Sequence, residues 1–324
     1  MQPPQTYREI AGCSKLSNDA NVSNSSAGEE SSRTLSGEEL LRLLLGTEVG
    51  LLLRSDPIAR QGRDPEGVHQ LRVGARRLRS ELKILKHAMK PAPLRFFLRE
   101  LRWMGGVLGR QRDVDVLSGV LDDINAQLET PLPSSVWKRL RSAREKENRD
   151  AAALLDSPRY RRLIGRLSNA VVQPPLRSAA QKPALELVRP ELDATLRGLF
   201  RAADDCGSSP SILQLHQVRI LAKKGRYCAE TAGPLPGETA LRLARQLETV
   251  QTVLGELHDY AVAISFLEQD VETPNAAVRT DDERVIAGAI EHLVGLIEEM
   301  KLQWREPLER ARSLDLSLTE HTPR

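Results

Sequence analysis

Two segments of this chain recur with nearly the same spacing, and this internal repeat constrains the fold more than any other feature. The segment VHQLRVGARRLR at 68–79 matches LHQVRILAKKGR at 215–226, which places His69 and His216 147 residues apart (216 − 69). The segment VLGRQRDVDV at 107–116 matches VLGELHDYAV at 253–262, at a separation of 146 (253 − 107). The chain is therefore predicted to contain two similar copies of one structural unit.

The periodicity within the copies predicts an all-α protein. Apolar residues recur three and four apart, and no segment alternates apolar and polar residues as a strand would. Ser36, followed by acidic residues, is typical of a helix N-terminus. The predicted boundaries are a disordered N-terminal tail at 1–34, a first four-helix unit at 35–170, a Pro-rich linker at 171–182, a second four-helix unit at 183–315 and a C-terminal tail at 316–324. Four helices in each copy indicate a four-helix bundle. The predicted helices include 67–90, 134–170 and 281–314.

Composition excludes several classes of protein. Three cysteines are too few and too scattered for a disulfide framework or a zinc site, so they indicate a reduced, cytoplasmic setting. No apolar run approaches the roughly 18 residues of a membrane span, and the first residues lack the apolar stretch of a signal peptide. Aromatic residues make up only 3% of the chain, which disfavours stacking on nucleic-acid bases. No Walker A, GxGxxG, HExxH or GxSxG motif is present, so no catalytic residue and no cofactor is predicted.

A row of cationic side chains runs along the repeated helix of the first copy. At about 100° per residue, one face carries His69, Arg72, Arg76, Arg79, Lys83, Lys86 and Lys90 within an arc of about 100°, beside a core stripe of leucines. The second copy repeats it with His216, Arg219, Lys223 and Arg226, and then Glu230 ends it. Such a row can simply be the solvent-exposed face of a helix, with no ligand. However, most of it lacks acidic partners at i+4, and this repulsion occurs in both copies. We therefore predict an anion-binding site.

The second repeated segment carries Arg112-Asp113 in one copy and His258-Asp259 in the other. A His-Asp pair raises the alternative of a metal-dependent phosphohydrolase, which needs several further ligands. The residue equivalent to His258 is an arginine, which cannot ligate a metal because it keeps its proton. We therefore predict donors to an oxyanion and no metal site. The aspartates are interpreted mainly as orienting a neighbouring Arg or Lys.

Two interpretations remain open for His69 and His216. Each imidazole is either a core-edge residue satisfied by a backbone carbonyl, or a donor to phosphate whose pKa rises beside the anion. In the second case, anion affinity is greater below about pH 6.5. Arg99 and Arg245 also match across the repeat and are further candidates for the anion site.

The repeated H-Q-[LV]-R-[VI]-x-x-[RK]-[RK]-x-R and L-G-x-x-[RH]-D segments resemble those of the CHAD family, the conserved histidine α-helical domains. The resemblance covers about residues 35–315, with both segments in the family's order. It implies two four-helix bundles related by a pseudo-twofold axis, with a basic channel between them. It also implies binding of inorganic polyphosphate and, in many members, association with polyphosphate granules, where protein partners are expected. Carried over by position, the implied polyphosphate-binding residues are His69, Arg72, Arg76, Arg79, Lys83, Arg112, His216, Arg219, Lys223, Arg226 and His258. Arg77 and Lys224 also match, but they point about 100° away from the row on a straight helix.

Three functions are compared on this basis. The leading hypothesis is a non-enzymatic polyphosphate-binding module, because a phosphate chain needs only donors and positive potential. The second is a metal-dependent phosphohydrolase or phosphotransferase acting on polyphosphate or nucleotides. The third is a nucleic-acid-binding helical protein that uses the same row on backbone phosphates. The formal net charge of +3 and the few aromatic residues disfavour the third.

Overall fold

The computed structural model describes residues 35–61, 65–232, 238–270 and 280–314. Within these ranges the chain forms helices and no β-strand, which confirms the all-α prediction. The tails predicted at 1–34 and 316–324 lie outside the described residues. The helices are α1 (Gly37–Gln61), α2 (Pro65–Ile84), α3 (Pro91–Asn125), α4 (Ser134–Asp156), α5 (Pro158–Val172), α6 (Ala184–Asp204), α7 (Ile212–Ala232), α8 (Glu238–Leu267), α9 (Asp281–Met300) and α10 (Arg305–Arg312).

Side-chain caps fix where several helices begin. The hydroxyl of Ser36 accepts a hydrogen bond from the backbone N–H of Glu39 (3.2 Å), and the Glu39 carboxylate accepts one from the N–H of Ser36 (2.9 Å). This reciprocal capping box confirms the helix start predicted there. Ser211 and Gln214 make the equivalent pair of bonds (3.3 and 2.9 Å) at the start of α7. The helix that carries the second cationic row therefore has a defined first turn.

The first cationic helix is shorter than predicted. The periodicity indicated a helix over 67–90, but α2 ends at Ile84. Beyond this point the chain pairs with the segment around Leu176: the N–H of Lys90 donates to the carbonyl of Pro175 (2.8 Å), and the N–H of Arg177 donates to that of Ala88 (2.8 Å). These tertiary hydrogen bonds replace the helical ones. Lys86 and Lys90 therefore do not continue the helical row.

Two other predicted helices are interrupted. The segment 134–170 divides into α4 and α5, because Ser157 caps α5 and Pro158 occupies its first position, which favours a new helix start. The Ser157 hydroxyl accepts from the N–H of Tyr160 (3.1 Å). The segment 281–314 likewise divides at residues 301–304, which form turns between α9 and α10.

The chain separates into two compact units. Unit 1 comprises the described residues up to Leu108 together with Ala153–Arg189, and unit 2 comprises Gly109–Ala152 together with the described residues from Pro190. The division falls inside α3, α4 and α6. This division differs from the predicted boundaries 35–170 and 183–315. Those boundaries describe the sequence repeat, and they stay a prediction.

In unit 1, helices α1 and α2 pack closely against each other. Gly67 makes this approach possible, because a Cβ atom there would lie 2.8 Å from the Cα atom of Ala59. Both helices contribute buried leucines to the core, namely Leu45 and Leu52 on α1 and Leu71, Leu78 and Leu82 on α2. Burying this stripe fixes the rotation of α2 and so places its cationic face beside the core.

In unit 2, a separate core joins four helical segments. It contains Leu117, Leu121 and Ile124 of α3, Val136 and Leu140 of α4, Ala263 and Leu267 of α8, and Ile286, Ala289 and Leu293 of α9. Arg139 adds a bond across this core, since its guanidinium donates to the carbonyl of Phe266 (2.6 Å). This packing holds the carboxyl-terminal halves of α3 and α8 side by side, and both carry predicted site residues.

Candidate anion-binding site

In unit 1, the cationic row occupies the edge of the buried face of α2. Leu71, Ala75 and Leu78 are fully buried, whereas His69, Arg72, Arg76 and Arg79 are half-buried and Lys83 is exposed. This distribution matches the adjacent arcs expected from the sequence. Side chains of this type pack their aliphatic stems against the core and keep the charged groups at the surface. The row therefore presents donors along one edge of the helix.

In unit 2, three helices bring the second group of site residues together. His216 and Arg219 lie on α7 and His258 lies on α8. The His216 and His258 rings are 5.1 Å apart between centroids, at an interplanar angle of 41°. A Cβ atom on Gly255 would lie 3.9 Å from both Nε and Nη2 of Arg219, so the guanidinium lies directly over this glycine. A Cβ atom at this distance would make an ordinary van der Waals contact with the arginine.

The environment of His258 keeps its imidazole neutral. Burial, and then the charges of Arg219 and His216, lower the pKa of His258 from 6.5 to about 4. Each of these causes disfavours a positive charge at this position. In the unliganded protein, His258 is therefore an uncharged donor and acceptor at neutral pH. A nearby anion would reverse the balance by favouring the imidazolium.

Arg112 and Asp113 of α3 act electrostatically on the same group. Burial raises the pKa of Asp259, and Arg219 and Arg112 oppose this with their positive charges while Asp113 reinforces it. Asp259 is half-buried. The carboxylate thus lies near two arginines, in keeping with its predicted role of orienting a neighbouring cation. The group of His216, Arg219, His258, Asp259 and Arg112 is called the α7–α8 cluster below.

The CHAD domain model matches residues 44–268, which is more than half of the chain and includes both repeated segments. The chain belongs to the CHAD family. The match extends from α1 to the first residue after α8, so it includes both cationic rows and the α7–α8 cluster.

Solved structures of similar chains support the same fold. The CHAD domain from the plant Ricinus communis is 24% identical, with a TM-score of 0.66, and the match covers 87% of this chain and 93% of that one. PptA from Streptomyces chartreusis is 18% identical, with a TM-score of 0.69, and the match covers 85% of this chain and 99% of that one. At these identities the likeness concerns the fold alone.

Among curated proteins, the chain is similar to two proteins from strains of Mycobacterium tuberculosis. The uncharacterized proteins MT2285 (strain CDC 1551 / Oshkosh) and Rv2226 (strain ATCC 25618 / H37Rv) are each 28% identical over 227 residues, which is 65% of this chain. The chain matches 42% of the length of each.

Three of the predicted site residues form ion pairs or are exposed, instead of joining the α7–α8 cluster. Arg226 is buried (7% exposed) and makes ion pairs with Glu230 (3.2 Å) and Glu248 (2.8 Å). Arg99 pairs with the buried carboxylate of Glu100 (2.7 Å). Arg245 is exposed on α8. None of the three is part of the α7–α8 cluster.

One lysine of the motif and one arginine outside it have partners on other helices. Lys224 makes an ion pair with Glu191 of α6 (2.7 Å), so it points away from the row as expected from helical geometry. Arg102 of α3 was not predicted, but its charge acts on Arg79. The periodicity of α2 does not indicate Arg102, because this residue lies on a different helix.

Among the described residues, no group of three or more His, Cys, Asp and Glu side chains could hold a metal ion. None of the described helices is both long and apolar enough to cross a membrane.

Proposed function

We propose that this CHAD domain binds inorganic polyphosphate without breaking it down. The observation that carries the proposal is the pair of cationic rows along α2 and α7, in which most of the side chains are half-buried. Half-buried arginines bind phosphate more strongly than fully exposed ones, because the surrounding medium screens the charges less. Guanidinium groups also match phosphate oxygens with two parallel hydrogen bonds. Association with polyphosphate granules is part of the same proposal.

The α7–α8 cluster favours binding over hydrolysis. A metal-dependent enzyme would need acidic and imidazole ligands that converge on one point. Here Arg219 and Arg112 lie among the histidines and the carboxylate instead. Two cations at this position would compete with a bound metal for the same space and would repel it. The arrangement supports a site for the anion itself.

We predict that the purified protein binds long-chain polyphosphate in the presence of EDTA and leaves it intact. Binding needs no metal because the donors are protein side chains. Titration calorimetry in EDTA measures the binding, and gel analysis of chain length with added Mg²⁺ or Mn²⁺ measures degradation. Metal-dependent shortening of the chain that disappears in an Arg219→Gln variant would identify an enzyme and overturn the proposal.

The same titration separates polyphosphate from nucleic acid. Duplex DNA and RNA are used as competitors, each matched to polyphosphate in phosphate concentration and measured at several salt concentrations. We expect polyphosphate to displace both at every salt concentration, since it offers the densest row of charges and no bases. Preferential binding of either duplex would contradict the proposal and indicate that the cationic rows bind nucleic acid.

A further inference from the structure

An arginine stacked on an aromatic ring occurs twice between α3 and α5 in unit 1. The guanidinium of Arg159 lies 4.1 Å from the ring centroid of Trp103, and that of Arg166 lies 4.3 Å from the ring centroid of Phe96. The two arginines are seven residues apart on α5 (166 − 159), and the two aromatic residues are seven apart on α3 (103 − 96). Because seven residues make about two helical turns, both pairs lie on the same two facing helix surfaces.

The first of these arginines already binds a carboxylate. While the face of its guanidinium covers Trp103, Nε of Arg159 donates to Oε2 of Glu100 (2.5 Å). Glu100 is buried on α3, three residues before Trp103. A guanidinium that stacks on a ring keeps its in-plane N–H groups available for such a bond. The pair of Arg159 with Glu100 is therefore an example, within the protein, of an oxyanion held by a stacked arginine.

The second arginine has a cavity where the first has its carboxylate. The residue three before Phe96 is Pro93, which lines a cavity of about 760 Å³ together with Arg166. Arg166 is exposed and makes no ion pair within the described part of the chain. Arg99, whose guanidinium lies 5.6 Å from the Phe96 ring centroid, is instead paired with Glu100 (2.7 Å). Arg166 is therefore the guanidinium that can bind an anion from outside.

The walls of the cavity indicate what else its ligand carries. Most of the lining residues are apolar, with Phe97 and Ala170 buried and Val172 exposed at the rim. Of the described residues that line the cavity, Arg166 alone is charged. Sites for small organic ligands have this volume and this composition. All the lining residues belong to α3, to α5 or to the segment 173–175 that follows it, so the cavity is separate from the cationic row of α2.

We propose that this cavity binds a small carboxylate with an apolar body, and that its carboxylate pairs with Arg166 as Glu100 pairs with Arg159. The site is called the Arg166 cavity below. The apolar body of the ligand covers the walls between α3 and α5. A polyphosphate chain has charge but no apolar surface, so the Arg166 cavity is a second site and does not depend on the proposed function.

Two fluorescent probes test the site in the full chain. Anilinonaphthalene sulfonate carries an oxyanion on an apolar body, and phenylnaphthylamine has the same rings without the charge. We expect the unmodified protein to bind both, and decanoate or naphthoate to displace the anionic probe. The more effective of these two competitors distinguishes a chain from a ring system as the apolar body. Polyphosphate should leave the probe bound. Displacement by polyphosphate would show that the probe binds the cationic rows, and failure of both carboxylates to displace it would exclude the proposed ligand.

A change of charge at the arginine tests its role. Arg166→Gln is expected to weaken binding of the anionic probe about fivefold and to leave binding of the neutral probe unchanged, because one exposed ion pair is lost and the apolar walls are kept. Arg162→Gln is the control, since it removes the same charge at another exposed position of α5 that does not line the cavity. Fluorescence titration measures both probes with both variants. Equal losses in the two variants would mean that a general attraction holds the probe, and the Arg166 cavity would be wrong.

A substitution at the rim tests the cavity without changing the arginine. Val172→Asp places a carboxylate where the side chain is 61% exposed, and Val294→Asp is the matched control on α9 at 45% exposure. We expect Val172→Asp to weaken binding of the anionic probe about fivefold more than the control does, because the new charge repels the probe and pairs with Arg166. Circular dichroism establishes that both variants remain helical. If both bind the probe as the unmodified protein does, the probe lies elsewhere and the proposal fails.

Discussion

Neutralising four residues of the two cationic rows is expected to weaken polyphosphate binding at least about 100-fold, because one charge-assisted hydrogen bond contributes about 1.5 kcal/mol or more and each 1.4 kcal/mol is a factor of ten. The variant replaces Arg72, Arg76, Arg219 and Lys223 with Gln. All four side chains are half-buried on α2 or α7. Because both rows are changed at once, this minimum loss of affinity is expected whether one chain of phosphates contacts one row or both.

The control has the same net charge but leaves the rows intact. It replaces four exposed arginines with Gln, namely Arg95, Arg141, Arg162 and Arg242. Both variants have four fewer positive charges, so a general attraction would weaken equally in each. A comparable loss of affinity in the control would show that overall charge, and not the position of the rows, governs binding. Circular dichroism establishes that both variants remain helical.

Salt dependence provides a second measurement of the same change. If single-stranded nucleic acid is a fair guide, each phosphate contact contributes about −0.7 to the slope of log affinity against log salt concentration. Removing four contacts should therefore make the slope shallower by about 3. The control variant should retain the slope of the unmodified protein. A slope unchanged in the four-residue variant would mean that these side chains do not neutralise phosphates.

The sequence contained enough information to predict the helices and the faces that carry charge. Leucine spacing placed the core stripe of α2 next to the cationic row, and the structure buries the leucines and half-buries the arginines as expected. The cap at Ser36 was visible because its signal lies within four residues. Local sequence patterns predict such contacts reliably when the two contacting residues are close in the chain.

What the sequence did not reveal depends on contacts between helices. The pattern that continues through Leu85 and Met89 indicates a longer α2, but hydrogen bonds to the segment around Leu176 end the helix earlier. The ion pair of Arg226 with Glu248 joins residues on two helices, and periodicity within one helix does not show what faces it. For the same reason, Arg226 entered the predicted site although the structure pairs it with two carboxylates. The break at Ser157 and Pro158 was also missed, although proline favours the first position of a helix.

The affinity for polyphosphate is expected to rise by about 20-fold between pH 7 and pH 5, if the bound anion restores the pKa of His258 from its depressed value of about 4 to the ordinary 6.5. In the free protein, burial together with Arg219 and His216 keeps the imidazole neutral in this range. The complex then binds one more proton than the free protein between the two pKa values. Affinity therefore rises as the pH falls through this window and levels off below about pH 4. The inner phosphates of a long chain stay ionised throughout, so the ligand does not contribute to this change.

Two variants assign the pH dependence to one imidazole. His258→Gln should flatten the dependence while retaining most of the salt dependence, since Arg219 and Arg112 stay charged at every pH tested. His292→Gln is the control, because His292 is exposed on α9 and its Nε2 lies 3.1 Å from Oε1 of Gln127, outside the α7–α8 cluster. Titration calorimetry at pH 5, 6 and 7 measures the affinity of all three proteins. If His258→Gln keeps the pH dependence of the unmodified protein, the proton is bound elsewhere.

The stability of the unliganded protein should change with pH in the opposite direction. Because the pKa of His258 is lower in the folded state than in the unfolded state, the unfolded chain binds more protons between pH 6.5 and 4, and stability falls as the pH decreases through this range. Since the side chain is only half-buried, we expect a loss of about 1–2 kcal/mol, less than the full shift would give. Thermal unfolding without polyphosphate should show this loss in the unmodified protein and in His292→Gln, and a smaller loss in His258→Gln. Acidification would thus weaken the empty fold and strengthen its complex through the same imidazole, whose charge is costly in the free protein and favourable beside phosphate.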